Sequence, residues 1–366
     1  GHEMFGAEVM LITEEGGRVV ELVDHADEDA EYFPGILCPG LINAHCHTEL
    51  SHLKGKIPKH TGLVDFVQQV LKLRAQSEEA RQEAINNAEE EMFRNGIVAV
   101  GDICNTADTV EMKSSNALKW RNFIEASGFV EATSRKRLDE AIAVKKKFTE
   151  AFLVPHASYS VSQTMFELIA ERKEKFVSIH NQESVEEDNF YQRASGDFLK
   201  LYANLGIDIS SFQPKGKSSF HYWIEYFSPD QNIISVHNTF INSSDVKLAK
   251  YRNMKVWFCV CAGANLYIEN TLPPLKLLRE HECKIVLGTD SYASNDSLSI
   301  SMEMKLIQEN FHDIPLTEIL RWATVNGAEA LDFPELGSFD KGKHPGIVQL
   351  DIDKNQRLTG RAKRIL

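Results

Sequence analysis

Apolar residues in this chain fall into short runs of strand length, separated by stretches with helical spacing. From residue 36 onward eight such runs follow one another, most of them bounded by turn or polar residues. The predicted strands span residues 36–47, 97–103, 120–129, 152–159, 176–180, 233–237, 256–261 and 285–290. Eight parallel strands joined by crossovers close naturally into a barrel. The pattern therefore predicts an α/β protein built on a (β/α)8 TIM barrel.

Helical spacing is clearest over residues 63–94 and again over 316–331. The connection 181–230 is too long for a single helix, so we expect either a lid or substrate wall, or a plain insertion. Residues 8–12 and 18–23 flank Gly16 and Gly17 and predict a hairpin outside the barrel. The tail from Gly337 returns to turn and strand character, and we expect it to pair with this hairpin.

Composition narrows the range of partners. The 366 residues include 40 Lys and Arg against 53 Asp and Glu, a formal charge of −13, which disfavours nucleic acid or an anionic membrane as a partner. A small uncharged or cationic substrate fits this charge better. Six cysteines show no disulfide spacing, and no apolar stretch reaches the ~20 residues of a membrane span. We expect a soluble, cytoplasmic protein.

Histidines and one aspartate stand at the carboxyl ends of the predicted strands, where barrel enzymes place their working residues. They are His45, His47, His156, His180, His237 and Asp290. Imidazole and carboxylate together suit zinc, iron or manganese, and four such ligands leave room for one water. The strand ends therefore predict a metal site with a water nucleophile.

Strand geometry adds detail at the first and last strands. His45 and His47 are two residues apart, so both face one side, and Cys46 faces the other side as a packing residue. Asp290 ends an apolar run, where a buried carboxylate is costly unless a cation pairs with it. The competing interpretation is that Asp290 or Ser291 caps a helix.

Further polar residues near these strand ends are candidates for catalysis or substrate binding. Glu183 follows His180 by three residues and could act as general acid and base, or could be a solvated loop carboxylate. His237 could orient or deprotonate the water. His156 could contact substrate, or it could serve only as a polar residue at the rim of the barrel. Glu49 could line the pocket.

Six motifs extend over most of the chain. They are PGLINAHCH at 39–47, PHASYS at 155–160, HNQES at 180–184, SVHN at 235–238, NL at 265–266 with LPP at 272–274, and GTDSYASN at 288–295. With these motifs the chain resembles the amidohydrolase superfamily, in its branch of metal-dependent deaminases and chlorohydrolases that act on aminated heterocycles.

The resemblance implies a barrel over residues 39–336 and a small β-sandwich domain built from residues 1–38 and 337–366. It implies one divalent ion, zinc or iron, and a homodimer. The implied metal ligands are His45, His47, His180 and Asp290. The implied catalytic residues are Glu183, His237 and Asp290. The substrate contacts that we expect are His156, Glu49 and Asn265.

The activity that the resemblance implies is hydrolytic deamination of an aminated heterocycle. An adenine-type nucleoside, as in the adenosylhomocysteine and aminodeoxyfutalosine deaminases, and guanine are the expected substrates. The alternatives are a chlorohydrolase or a hydrolase of cyclic amides or imidazolones at the same site. A more remote alternative is a barrel without catalysis that serves as an interaction scaffold.

Overall fold

A computed structural model describes residues 3–25, 29–115, 117–210 and 212–366. The strands are β1 Met10–Thr13, β2 Val19–Val23, β3 Ile36–Pro39, β4 Leu41–Cys46, β5 Ile97–Cys104, β6 Lys119–Ala126, β7 Ala151–Pro155, β8 Phe176–Asn181, β9 Asn232–His237, β10 Lys255–Val260, β11 Lys284–Leu287, β12 Ile347–Ile352 and β13 Leu358–Arg364. The helices are α1 Leu63–Leu73, α2 Glu78–Arg94, α3 Val110–Lys113, α4 Ser134–Lys145, α5 Gln163–Ala170, α6 Val185–Arg193, α7 Phe198–Asn204, α8 Ser219–Trp223, α9 Ser243–Tyr251, α10 Ala262–Glu269, α11 Leu275–Glu280, α12 Ile300–Asn310, α13 Leu316–Ala323 and α14 Val325–Leu331.

Eight of these strands form the predicted barrel. Strands β4 to β7 pair in chain order, as do β8 to β11, and every pair is parallel. Isolated parallel bridges join Ala157 to His180 and Cys46 to Asp290, so the two sheets meet at both edges. The result is a TIM-barrel-like α/β fold, which confirms the fold class predicted from the apolar pattern.

The barrel strands are buried on both faces, which is why their sequences are nearly continuous apolar runs. On β10, Phe258 and Val260 belong to the same apolar cluster as helix residues such as Leu278. The alternate residues Trp257 and Cys259 belong to a second cluster, which collects side chains from many barrel strands. Successive side chains of a strand therefore point alternately to the layer between strands and helices and to the barrel interior.

The prediction of a single strand over 36–47 is wrong. The segment forms β3, which pairs with β12 in a terminal sheet, and β4, which belongs to the barrel. The break falls at Gly40, where a Cβ atom would lie 2.2 Å from Val98 Cγ1 and 2.6 Å from the Pro345 carbonyl oxygen. The chain changes sheets where only a glycine fits.

The two long predicted helices are also divided. Residues 63–94 form α1 and α2, and Ser77 caps α2 by accepting a hydrogen bond from the Ala80 amide. Residues 316–331 form α13 and α14, which meet at Thr324. Apolar spacing continues across the break at Thr324, so the periodicity alone did not reveal that break. At the other break, residues 74–84 contain only alanines among polar side chains, and the apolar stripe of α1 does not continue.

The terminal segments form two small sheets. β1 and β2 make the predicted hairpin, and the second sheet has the order β13-β12-β3. The expectation that the tail pairs with the hairpin holds only for residues 342–343, because the tail strand β12 pairs with β3 and β13. The hairpin meets the tail through hydrogen bonds from Val19 N to Lys343 O at 2.9 Å and from Gly342 N to Val19 O at 2.8 Å.

The long connection after β8 contains α6, α7 and α8 and packs through aromatic rings. The rings of Phe190 and Phe212 stack with centroids 4.2 Å apart, and those of Phe129 and Tyr202 with centroids 4.8 Å apart. Tyr159, which follows β7, stacks on Phe198 at 4.5 Å. The segment therefore packs its aromatic side chains against residues that follow β6 and β7.

The six cysteines are all free thiols, as the absence of disulfide spacing predicted. Among the described residues, no helix combines the length and apolar character needed to cross a membrane.

Candidate active site

The four predicted metal ligands come together at one end of the barrel. His45 lies on β4 and His47 directly follows it, His180 lies on β8, and Asp290 follows β11. One nitrogen or oxygen atom from each of these buried side chains lies within 4.8 Å of the others. Barrel closure makes this possible, because the amides of Thr289 and Asp290 donate to the His45 carbonyl oxygen at 3.0 and 3.1 Å.

The ligand atoms point at a common position. His47 Nε2 lies 3.1 Å from His180 Nε2 and 3.4 Å from Asp290 Oδ1. His45 Nε2 lies 3.6 Å from the same carboxylate oxygen. The ring of His45 stands edge-on to those of His47 and His180, each with a centroid separation of 4.9 Å.

Hydrogen bonding indicates that this arrangement fits a cation. His180 Nδ1 lies 2.8 Å from the His156 carbonyl oxygen. The nitrogen donates a hydrogen bond to this oxygen, so the proton of the neutral ring is on Nδ1 and Nε2 keeps a lone pair. His45 is fully buried, and its ring nitrogens make no hydrogen bond among the described residues. A buried polar group without a partner is costly, and a divalent ion with a preference for N and O ligands would satisfy it.

Protonation in the site follows from burial and mutual contact. Burial lowers the pKa of His180 to about 4 and that of His237 to about 3, so both rings are neutral at pH 7. Burial alone would raise the pKa of Asp290, but the adjacent rings of His45, His47 and His237 hold that pKa well below its usual range. Burial also lowers the pKa of His47, so the cluster offers imidazole nitrogens and one carboxylate to a cation.

Glu183 lies against His237 beside this cluster. Glu183 Oε1 is 3.5 Å from His237 Nε2, and the Glu183 residue is 4% exposed, which excludes the interpretation as a solvated loop carboxylate. Burial, together with the charges of Asp290 and Glu187, raises the pKa of Glu183 well above its ordinary value. This shift is in the direction that a general acid requires.

Two residues of the site adopt a backbone conformation that disfavours a side chain. His237 has φ of 70° and Asp290 has φ of 56°, both in the left-handed region that residues other than glycine rarely occupy. Such strain is found at functional sites when the surrounding structure holds it in place. Here it turns each side chain at the point where its strand ends.

The alternative role of Asp290 as a helix cap is wrong. The next helix, α12, is capped by Ser299, whose side chain accepts from the Met302 amide. Asp290 Oδ2 instead accepts a hydrogen bond from Ser294 Oγ.

Two of the predicted substrate contacts lie beside the cluster. His156 Nδ1 lies 2.7 Å from Ser160 Oγ. Asn265 on α10 donates through Nδ2 to Thr239 Oγ1, and its buried Oδ1 makes no hydrogen bond among the described residues. The amide of Asn265 is close enough to His237 to raise the pKa of that ring against the larger lowering effect of burial.

Glu49, the third predicted contact, is enclosed by protein donors. One carboxylate oxygen accepts from Arg74, and the other accepts from the amides of Asn105 and Thr106 at 2.9 and 3.0 Å and from Thr106 Oγ1 at 3.0 Å. The structure thus places Glu49 outside the four-residue cluster.

Sequence reasoning missed Glu125, at the end of β6. Its Oε1 lies 3.4 Å from His180 Nδ1, and its Oε2 accepts from Asn105 Nδ2 at 3.1 Å. Glu125, His156 and His180 also form a second group with ligand atoms within 4.8 Å of one another. The available signal was an acidic residue near the carboxyl end of an apolar strand.

The chain belongs to the amidohydrolase family, whose model matches residues 36–364. An adenosine deaminase from Helicobacter pylori is 28% identical over 320 residues, which cover 82% of this chain and 76% of the relative. A crystal structure of H. pylori aminofutalosine deaminase with methylthio-coformycin has a TM-score of 0.77 at 22% identity and covers 98% of this chain and 95% of that one. A zinc complex of an atrazine chlorohydrolase from Arthrobacter aurescens TC1 has a TM-score of 0.73 at 14% identity, with coverage of 97% and 87%. The two structures share the fold of this chain.

The lowered histidine pKa values predict how a bound ion responds to acid. His180 has a pKa of about 4 instead of the ordinary 6.5, so we expect the loaded protein to keep its ion at pH 6 and to release it near or below pH 4. Between pH 6.5 and about pH 4, the ordinary and the folded-state pKa of His180, the unfolded chain binds a proton that the folded chain does not. The free energy of unfolding should therefore fall as the pH falls through this range. Bound metal after buffer exchange and denaturant unfolding at each pH measure both effects. Half-release near pH 6.5 would contradict this assignment.

The close packing around Gly288 predicts that a larger residue there would disturb the metal site. A Cβ atom there would lie 2.8 Å from Cys259 Sγ and 2.9 Å from both Cβ and the carbonyl oxygen of His45. Gly288→Ala should therefore lower the free energy of unfolding by about 1–3 kcal/mol and reduce bound metal by displacing His45. Gly206→Ala is the control, because a Cβ there has nothing within 4 Å and meets only the strain of φ 66°. Full metal content in Gly288→Ala would show that the close contact does not matter.

Proposed function

We propose that this protein is a metal-dependent hydrolase that deaminates an adenosine-like substrate. The observation that carries the proposal is the position of the buried Glu183, 3.5 Å from His237 and beside the four-residue cluster, with its pKa raised. Membership of the amidohydrolase family and the adenosine deaminase among its relatives support the same activity. The reaction replaces an amino group on a ring carbon by oxygen and releases ammonia, with water as the second reactant.

We assign one divalent ion, zinc, to His45, His47, His180 and Asp290. Three imidazoles and one carboxylate are a donor set that zinc accepts, and the zinc in the Arthrobacter chlorohydrolase supports the choice of metal. An ion bound there would lower the pKa of a water molecule toward about 7.

The protein side chains then divide the proton transfers. Asp290, held ionised, and His237, held neutral, can each accept a proton from the attacking water. Glu183 delivers its proton to the ring nitrogen and afterwards carries a proton to the departing amine. His156 and Asn265 contact the substrate, and the open Oδ1 of Asn265 suits an N–H group. Glu49, whose oxygens are already taken by protein donors, is not assigned a direct contact with the substrate.

Chlorohydrolysis is the second candidate, and the fold shared with an atrazine chlorohydrolase supports it. The protonation of Glu183 favours deamination, because ammonia must gain a proton to leave whereas chloride leaves as an anion.

The remaining assignments concern architecture and context. We infer that the two terminal sheets form a small β-sandwich domain over residues 1–38 and 337–366, with the barrel over 39–336. A homodimer and a cytoplasmic location, without nucleic-acid or membrane partners, stay predictions.

A substrate panel tests the proposed activity. The metal-loaded protein is offered adenine nucleosides, guanine, aminated pterins, chlorotriazines and cyclic amides, and release of ammonia, chloride and carboxylate is measured in parallel. We expect ammonia from adenine nucleosides. Chloride release alone would favour the second candidate, and no product from any compound would contradict both.

Glu183→Gln should lose at least about 10²-fold in turnover, because an amide has no proton of suitable acidity to donate. Its metal content should match that of the unmodified protein, since Glu183 is not assigned as a ligand. Glu186→Gln, three residues further along on α6, is the matched control and should keep its activity. Ammonia release from Glu183→Gln at nearly the normal rate would refute the assigned role.

A further inference from the structure

A lysine side chain lies inside the protein, against the two barrel strands that follow β4. Lys113 ends the short helix α3, and its side chain is only 7% exposed. Its Nζ donates a hydrogen bond to Asp102 Oδ2 and another, at 2.7 Å, to Asn122 Oδ1. Asp102 on β5 and Asn122 on β6 stand opposite each other in the parallel ladder. Lys113 therefore holds α3 to two neighbouring barrel strands.

The lysine and the aspartate form a buried ion pair. The Asp102 side chain is fully buried, and a buried charge is costly unless an opposite charge pairs with it. Burial alone would lower the pKa of Lys113, but the charge of Asp102 and the contact with Cys104 hold that pKa above its ordinary value. The ammonium group therefore stays charged and keeps the Asp102 carboxylate paired.

The second carboxylate oxygen of Asp102 binds the chain next to the metal site. Asp102 Oδ1 accepts hydrogen bonds from the backbone amide and the hydroxyl group of Thr48, at 2.9 and 2.8 Å. Thr48 is fully buried and directly follows His47, one of the assigned metal ligands. The carboxylate therefore connects the charge of Lys113 to the residue that follows a ligand.

These hydrogen bonds hold the chain where the regular pairing of strands has stopped. Strand β4 ends at Cys46, and its register with β5 shifts between Asn43 and Cys46. His47 lies beyond the strand, with φ of −119° and ψ of 77°. The two bonds from Thr48 to Asp102 tie this segment back to β5. The position of the His47 ring therefore depends in part on Asp102.

The position of His47 matters because its ring lies close to two other ligands. His47 Nε2 is 3.1 Å from His180 Nε2 and 3.4 Å from Asp290 Oδ1. A displacement of this ring would change both distances, and with them the space in which an ion is held. Removal of a group that orients a metal ligand typically lowers metal affinity by about 10- to 100-fold.

We propose that Asp102 and Lys113 are positioning residues that hold the metal ligand His47 in place through Thr48. The proposal rests on the proposed function only for the assignment of His47 as a ligand, and it does not depend on the substrate. Asp102 makes the contacts with Thr48, and Lys113 keeps the Asp102 carboxylate oriented between β5 and β6. The ion pair thereby sets the metal affinity from outside the ligand set.

Metal affinity measures the effect without turnover. The Kd for zinc is determined by competition with a chelator, and the visible absorption spectrum of the cobalt-loaded protein reports the geometry of the ligands. In Asp102→Asn and in Lys113→Met we expect Kd to rise by about 10- to 100-fold, together with a changed cobalt spectrum. Thr48→Val lacks the hydroxyl donor but keeps the amide, so its Kd should rise less. Thr48→Ser keeps both donors and should keep the original Kd.

Two comparisons separate positioning from a loss of stability, which denaturant unfolding measures in each variant. Asp102→Asn combined with Lys113→Met removes both charges and leaves an amide oxygen for Thr48. Its Kd should therefore lie closer to that of the unmodified protein than the Kd of either single variant does. Arg121→Met is the matched control, because the Arg121 side chain is 5% exposed and donates to the Leu331 carbonyl oxygen. It should lower the free energy of unfolding and leave Kd and the cobalt spectrum unchanged.

An unchanged Kd and cobalt spectrum in the two single charge variants, with a loss of stability alone, would overturn the proposal, as would an equal rise of Kd in Arg121→Met. If the charge variants do not fold, the difference in Kd between Thr48→Val and Thr48→Ser decides. If the unmodified protein binds neither zinc nor cobalt, the metal assignment fails and the proposal fails with it. If it binds zinc but releases no ammonia from any compound, the deaminase assignment fails, while the Kd values still decide the role of Asp102 and Lys113.

Discussion

The site depends on one buried carboxylate placed against three buried imidazoles. The rings of His45, His47 and His237 hold the pKa of Asp290 well below its usual range, and burial lowers the pKa of His47 and His180. The carboxylate and the three ligand imidazoles come from the first, fifth and last strands of the barrel. The arrangement therefore exists only when the barrel is closed, and the pairing of Cys46 with Asp290 places the closing contact at the site itself.

Packing of the apolar core keeps the barrel closed, and the functional residues lie at the ends of its strands. Apolar residues alternate between the barrel interior and the helical layer along each strand, which gives the strands two buried faces. At the rim the backbone of His237 and Asp290 takes left-handed φ values. Burial offsets this local cost of roughly 1–3 kcal/mol per residue, and the strain points both side chains into one small volume.

Much of the site could be predicted because strand ends are local features. His45, His47, His180 and Asp290 each terminate an apolar run, and barrel topology alone puts such ends together. Glu125 was not found, since its place beside His180 comes from a contact between strands that are distant in sequence. The break within 36–47 was also missed, because β3 and β4 together form one apolar run in the sequence. They differ only in the sheet to which each belongs.

The sequence by itself determined the order of strands and helices, the residue types at each strand end, and the kind of chemistry those types support. These follow from spacing along the chain, where periods of two and 3.6 record which side is buried. Only the tertiary structure decided which groups meet. His47 and His180 are 133 positions apart yet lie 3.1 Å from each other, and Glu49 proved to hold Arg74 instead of facing the metal ligands. Such contacts are set by closure and packing in space, which no local pattern encodes.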